Sequence, residues 1–177
     1  MSSSIIGIGP GDIALVAPAG VPAFKVGTIG GYDNPTPDGS SVIGYQEFIY
    51  GIATAGITQF FACVEGILNG NFSMITTANT AAGQLGGHGS RVGVAQATLL
   101  TGQGGWFQVL GKATVNTLAS AAVGTRLNTT AIAGSVDDDG TAASRSINGI
   151  VLKTATGGAQ ANNADARLMY PTVGVTL

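Results

Sequence analysis

Charged side chains are scarce in this sequence of 177 residues. Seven lysines and arginines and nine acidic residues make up 9% of the chain, compared with about 25% in an average soluble protein. The net charge is −2 and the isoelectric point is near 5.0, so the chain lacks the basic face that binding to nucleic acid requires. Its hydrophobic fraction of 45% is too high for a disordered chain. Few charges favour a surface covered by partners, because lasting interfaces are depleted in Lys, Glu and Asp.

Cysteine and long apolar runs are also missing. Cys63 is the only cysteine, which excludes an internal disulfide and a metal site built from several cysteines. No apolar run approaches the roughly 18 residues that mark a membrane-spanning helix, so we expect no association with a membrane. Met1–Ser4 carries no basic side chain, so we expect no secretory signal and synthesis in the cytoplasm.

Residues typical of catalysis are few, and the sequence predicts no catalytic residue, no cofactor and no metal ion. His88 is the only histidine, and no G-x-S-x-G elbow is present. Asp137, Asp138 and Asp139 are adjacent and lack the alternating spacing of a calcium loop. The segment IIGIGPGD at residues 5–12 resembles the glycine-rich opening of tetrapyrrole methylases. An enzyme that binds S-adenosylmethionine through Gly9-Pro10-Gly11 is therefore a distant alternative.

Glycine and proline are plentiful in the first 40 residues. Five of the six prolines lie at positions 10, 18, 22, 35 and 37, and proline favours extended backbone around it. We expect residues 1–40 to form an extended arm, with short strands at Ile13–Val16 and Phe24–Ile29. The arm either crosses a neighbouring subunit, with Pro18 and Pro22 at the interface, or wraps its own core.

Residues 41–177 are predicted to form a single all-β domain, a small barrel or sandwich. In Val42–Ile52, the side chains of Phe48, Tyr50 and Ile52 share one face, which is the period of a strand. Short strands separated by frequent turns are typical of these folds. Further strands are expected at Gln59–Ile67, with Phe72–Thr76 as its hairpin partner, and at Arg91–Ala97, Trp106–Val115 and Ile147–Thr154. At most one or two short helices are expected, at the Ala-rich segments Leu118–Val123 and Gln160–Met169.

The second half of the chain, residues 91–175, resembles the head decoration (cement) proteins of tailed bacteriophages. The order of its motifs is similar to that family's pattern: a strand, a G-W-x-Q-V strand, an R-L-N-T-T-A-x-A-G turn segment and a final apolar strand. The segments that carry the likeness are Arg91–Gln96, Gly105–Ala113, Thr125–Gly134, Asp137–Thr141 and Ile147–Leu152. The resemblance implies a β-barrel-like, homo-oligomeric module on the outer capsid surface of the virion, in contact with the major capsid protein and without catalytic residues.

The resulting functional expectation is a structural virion protein that stabilises a phage capsid. Because Arg is enriched at interfaces and pairs bidentately with carboxylates, Arg91, Arg126 and Arg145 are candidate contacts. Trp106 is a candidate interface anchor, although core packing is the commoner fate of such a residue. The main alternative is another virion component, a tail-tube or fibre protein; a long fibre would show a repeat of fixed period, and none is visible.

Overall fold

The computed structural model describes residues 8, 9, 11–35, 42–66, 69–157 and 162–176. Within these ranges the chain forms ten strands and no helix, which confirms the all-β prediction. The strands are β1 (Ile29–Pro35), β2 (Val42–Ala53), β3 (Ala62–Gly66), β4 (Asn71–Met74), β5 (Val92–Ala95), β6 (Gly104–Thr117), β7 (Leu127–Thr129), β8 (Val136–Asp137), β9 (Arg145–Leu152) and β10 (Asn162–Thr176).

The strands pair in one sheet that closes on itself twice. Their order is β1-β2-β4-β3-β5-β6-β10-β9-β7-β8, and two further pairings join β2 to β6 and β6 to β8. These pairings create two rings of five strands that share β6. The first half of β6 pairs with β2, from Gly104 to Leu110, and the second half pairs with β10, from Leu110 to Thr117. The fold is therefore barrel-like, with one long strand common to both rings.

Apolar side chains fill three clusters along these rings. One cluster joins strands of the first ring, where the Phe72 and Phe107 rings stack with centroids 4.0 Å apart. A larger cluster joins the second ring to the other faces of β3 and β5. The third cluster is aromatic and contains Tyr32, Phe48, Tyr50 and Trp106. Alternation along the strands thus supplies a buried face on both sides of the sheet.

The described residues of the predicted arm lie against the aromatic cluster of their own chain. Ala17 donates a backbone hydrogen bond to Gly104 at 2.9 Å, and Gly27 donates one to Tyr50 at 2.8 Å. The Phe24 ring lies 5.0 Å from the Trp106 ring, between centroids. This part of the chain therefore wraps its own core, which is one of the two arrangements expected for it. The predicted boundary at residues 40 and 41 lies outside the described residues.

The prediction of short strands at Ile13–Val16 and Phe24–Ile29 is wrong. Residues 11–14 form a turn, and the first strand begins only at Ile29. The turn is closed by Asp12, whose carboxylate accepts the backbone N–H of Gly9 at 2.7 Å. A side chain that satisfies a nearby backbone donor favours a turn over a strand ladder.

Neither of the expected short helices forms. Residues 118–123 form a turn that is fixed by a hydrogen bond from the Ala121 backbone N–H to the Thr156 hydroxyl at 3.0 Å. The described part of Gln160–Met169 belongs to β10, where Ala164 and Leu168 are buried and Arg167 is exposed. This alternation has the period of a strand, and pairing with β6 and β9 outweighs the helical propensity of alanine.

The strands expected between residues 42 and 154 are confirmed, with altered bounds: β3, β4 and β5 are shorter than expected, β2 and β6 are longer, and β9 begins and ends two residues earlier. The predicted hairpin is formed by β3 and β4, in which Glu65 pairs with Phe72 in antiparallel register. β3 begins at Ala62 and not at Gln59, because Phe60 has a φ of 67°, which interrupts the extended backbone before the strand. Ile67, the expected end of this strand, lies outside the described residues.

Candidate functional site

The bulge near the end of β10 presents two large side chains to solvent. Met169 is 47% exposed and Tyr170 is 55% exposed. The β9–β10 register shifts between Leu168 and Thr172, and Tyr170 adopts a φ of 48°. A positive φ is an outlier for a bulky residue, and bulges of this kind turn a side chain away from the ladder. The backbone therefore holds the Tyr170 ring outward from the sheet.

Tyr170 is oriented further by a carboxylate on β2, the strand on the other side of β6. Its hydroxyl donates a hydrogen bond to Glu47 Oε2 at 3.2 Å. Partial burial and then the negative charge of Glu47 raise the pKa of Tyr170 above its ordinary value, and they raise the pKa of Tyr45 in the same way. Both phenols therefore stay protonated and remain hydrogen-bond donors at neutral pH.

A shallow cleft with basic walls adjoins these aromatic residues. Its volume is about 430 Å³, and Tyr45, Lys112, Lys153 and Arg167 are among the residues that line it. Lys112 forms an ion pair with Asp165 at 3.4 Å, and both side chains are about half exposed. We name Tyr45, Glu47, Met169, Tyr170 and this cleft the β10 surface. Tyr, Met and Arg are the residue types enriched at protein interfaces, so this surface suits a protein partner.

The three arginines predicted as contacts have different surroundings. Arg126 is exposed. Arg91 forms an ion pair with Glu65 at 3.1 Å, and the Glu65 side chain is only 2% exposed. Arg145 is 8% exposed. Arg91 therefore serves at least partly to neutralise a buried carboxylate of its own chain.

Trp106 is fully buried and lies in the core. Its ring packs at 5.2 Å from Tyr50 and 5.0 Å from Phe24, between centroids. Trp106 thus presents no surface to a partner in this conformation, and core packing is its role. Pro18 and Pro22 are both exposed, so they are free to touch another molecule.

Sequence reasoning missed Met169 and Tyr170. The Ala-rich stretch before them predicted a helix, which concealed the strand they belong to. The available signal was Pro171: a proline within a strand marks an edge or a bulge, and the two residues before it are large and apolar. Reading residues 162–176 as a strand with a bulge at Pro171 identifies both residues.

The aspartate segment at residues 137–139 and Cys63, which were considered as possible metal or catalytic groups, have structural surroundings. Asp138 accepts the backbone N–H of Ala122 at 3.1 Å, which ties the aspartate segment to a turn. Among the residues that the structure describes, no group of three or more His, Cys, Asp or Glu is arranged to hold a metal ion. Burial raises the pKa of the Cys63 thiol far above its ordinary value, so this thiol is a poor nucleophile.

No family model matches the sequence, and no curated protein matches it. In the described ranges, no helix is long and apolar enough to cross a membrane.

Proposed function

We propose that this protein is a structural component of a bacteriophage virion, one that decorates and stabilises the capsid by binding the outer surface of the major capsid protein lattice. The likeness of residues 91–175 to head decoration proteins supports this proposal. These residues include β5 to β10 and thus supply most of the second ring together with the β10 bulge. The proposal treats the protein as a homo-oligomer, as the resemblance implies.

The observation that carries the proposal is the outward-held pair Met169 and Tyr170. The positive φ of Tyr170 costs about 1–3 kcal/mol of backbone strain. Such strain persists where the surrounding structure enforces it, and it concentrates at binding sites. A tyrosine anchor beside basic side chains is the composition of an interface hot spot.

Stabilisation would come from added contact area between capsid subunits. A stable interface buries about 1,600 Å² in total. A homo-oligomer carries several copies of the same contact, and its later contacts with the shell are intramolecular once the first has formed, so weak individual contacts add up to strong retention. The scarcity of charge fits this role, because an uncharged surface loses little solvation when it is covered.

The proposal predicts that Tyr170→Ala weakens binding to undecorated capsids by about tenfold or more, the effect of removing a hot-spot residue. The measurement is co-sedimentation of purified protein with capsids over a range of protein concentrations. Val123→Ala is the matched control: Val123 is 51% exposed, lies in the loop before β7, and should bind as the unchanged protein does.

Two outcomes would contradict the proposal. One is equal binding by the Tyr170→Ala and Val123→Ala variants, since the β10 surface would then make no contact. The other is assembly of the purified protein into rings or tubes without capsids, which is the behaviour of a tail-tube subunit. The free energy of unfolding of both variants is measured in parallel, so that loss of binding is not confused with loss of folding.

A further inference from the structure

A second pocket lies between the loop 82–90 and the start of β9. Its volume is about 360 Å³, and Gln84, His88, Ser90 and Arg145 contribute to its lining. None of these residues belongs to the β10 surface that is proposed to bind the capsid. Their side chains are polar or cationic, and the glycines of the loop leave backbone open beside them.

Arg145 is the unusual member of this group. It is 8% exposed, it takes part in neither of the two ion pairs found among the described residues, and its buried Nε has no hydrogen-bond partner there. Burying a cation without a counter-charge is costly. Arg145 lines a pocket, so an anion that enters this pocket would supply the counter-charge that the buried guanidinium lacks.

The pocket is held in shape by backbone hydrogen bonds. Gly89 donates to Val173 at 2.8 Å, and Val173 donates to Ser90 at 2.9 Å, so the loop is fixed to β10. Within the loop, Gly87 donates to Gln84 at 3.0 Å and Ser90 donates to Gly87 at 3.0 Å. The Arg145 backbone N–H donates to the Thr129 hydroxyl at 2.9 Å, which fixes the other wall. Both walls are thus preorganised before any ligand arrives.

We infer that this pocket receives a carboxylate, with the guanidinium of Arg145 as its principal partner. A guanidinium offers parallel N–H donors that match the two oxygens of a carboxylate. The inference rests on the proposed function for the source of the carboxylate, which we assign to an Asp or Glu side chain of the capsid protein. The residues that line the pocket all belong to this chain.

The test begins with the purified protein and sodium acetate at constant ionic strength, followed by nuclear magnetic resonance. We expect saturable shifts confined to the amides of residues 82–90 and to the Arg145 side chain. Gln84→Glu places a carboxylate at the rim of the pocket, where it competes for Arg145. This variant should bind acetate at least about tenfold more weakly and should unfold at a higher temperature than the unchanged protein, because the buried cation gains a partner.

Arg126→Gln is the matched control, since it also lowers the net charge by one but alters an exposed arginine outside the pocket. It should bind acetate as the unchanged protein does. Absence of saturable shifts in the unchanged protein would overturn the inference, as would equal acetate binding by Gln84→Glu and Arg126→Gln. Tighter binding of inorganic phosphate than of acetate would overturn the carboxylate assignment.

Capsid binding separates this inference from the proposed function. If the unchanged protein binds acetate but not capsids, the capsid proposal fails, and with it the assigned source of the carboxylate. If it binds capsids, and Gln84→Glu binds them as well as the unchanged protein does, then the pocket takes no carboxylate from the shell.

Discussion

At the scale of single residues, burial decides the chemistry of the few titratable groups. Cys63 lies in the apolar cluster of the first ring, where the thiol contacts only its own core and the Phe61 carbonyl at 3.5 Å. Glu65 is almost equally buried, but it forms an ion pair with Arg91 at 3.1 Å and accepts the backbone N–H of Gly70 at 2.7 Å. Burial keeps the Cys63 thiol protonated, and the Glu65 carboxylate is paired with Arg91. Both groups therefore contribute to the stability of the fold.

The buried thiol of Cys63 predicts a specific dependence of stability on pH. Its folded-state pKa is raised by burial, whereas the thiol of the unfolded chain ionises near pH 8.5, that is, at about its ordinary pKa. Above that pH the unfolded state binds fewer protons than the folded state, so the free energy of unfolding falls as pH rises, by up to about 1.4 kcal/mol per pH unit.

The measurement is urea unfolding at a series of pH values between 8 and 10. Cys63→Ala serves as the comparison: it lowers stability by about 1 kcal/mol at pH 8 through lost packing, and its pH profile should be flatter, so the difference between the two proteins should shrink as pH rises. Tyr32, whose pKa is also raised by burial, contributes only from about pH 10 upward. Parallel profiles for the two proteins would contradict the account of Cys63.

The pair of Glu65 and Arg91 predicts an asymmetric response to mutation. Arg91→Gln leaves the Glu65 carboxylate buried without a cation, and we expect a loss of about 1–3 kcal/mol, below the range for fully buried pairs because the Arg91 side chain is 39% exposed. Adding Glu65→Gln should recover part of that loss, since a neutral amide still accepts the Gly70 N–H.

Chemical denaturation of the single and double variants measures this effect. Lys112→Gln is the control, because it breaks the exposed ion pair with Asp165 and should cost less than about 1 kcal/mol. Equal losses for Arg91→Gln and Lys112→Gln would show that burial of Glu65 does not set the cost.

At the scale of elements, the shape of β10 depends on a glycine in the neighbouring strand. Gly149 has a φ of 81°, and a Cβ there would lie 2.7 Å from the Met169 carbonyl oxygen and 3.1 Å from Pro171 Cα. Both of these atoms belong to the backbone of the bulge. The close approach of β9 to this backbone therefore positions Met169 and Tyr170.

Gly149→Ala should destabilise the protein by about 2 kcal/mol or more, through the positive φ and the backbone overlap, and should displace the bulge. We expect weaker capsid binding in the fraction that remains folded. Gly56→Ala is the control, since a Cβ at Gly56 meets nothing within 4 Å. Thermal unfolding and co-sedimentation check both effects; a Gly149→Ala protein as stable as Gly56→Ala would contradict this role of Gly149.

The elements also show what local sequence could and could not predict. The sequence predicts β2, β6 and β9 because each of these strands is 8 to 14 residues long, which is long enough for a strand pattern of apolar side chains to be recognised. β7 and β8 contain three and two residues, too few to show a period, and they exist only through pairing with distant strands. The closure of two rings at β6 is likewise a long-range property. The pocket at Arg145 joins two segments that are far apart in the sequence, so Arg145 could be suspected as a contact but not located beside residues 82–90.

At the scale of the whole molecule, the protein combines few charged residues with two closed rings of strands. Three of the seven basic residues line the cleft of the β10 surface, and a fourth, Arg145, lines the second pocket. The remaining polar surface is largely uncharged Thr, Asn, Ser and Gln. Such a distribution limits electrostatic steering and favours binding that depends on shape and on a few anchored contacts.

The most direct test of the capsid proposal is electron cryomicroscopy of undecorated capsids mixed with the purified protein. The account predicts added density at fixed, repeated positions on the outside of the lattice, oriented so that Met169 and Tyr170 face the shell. Capsids that remain bare at saturating concentrations of folded protein would contradict it.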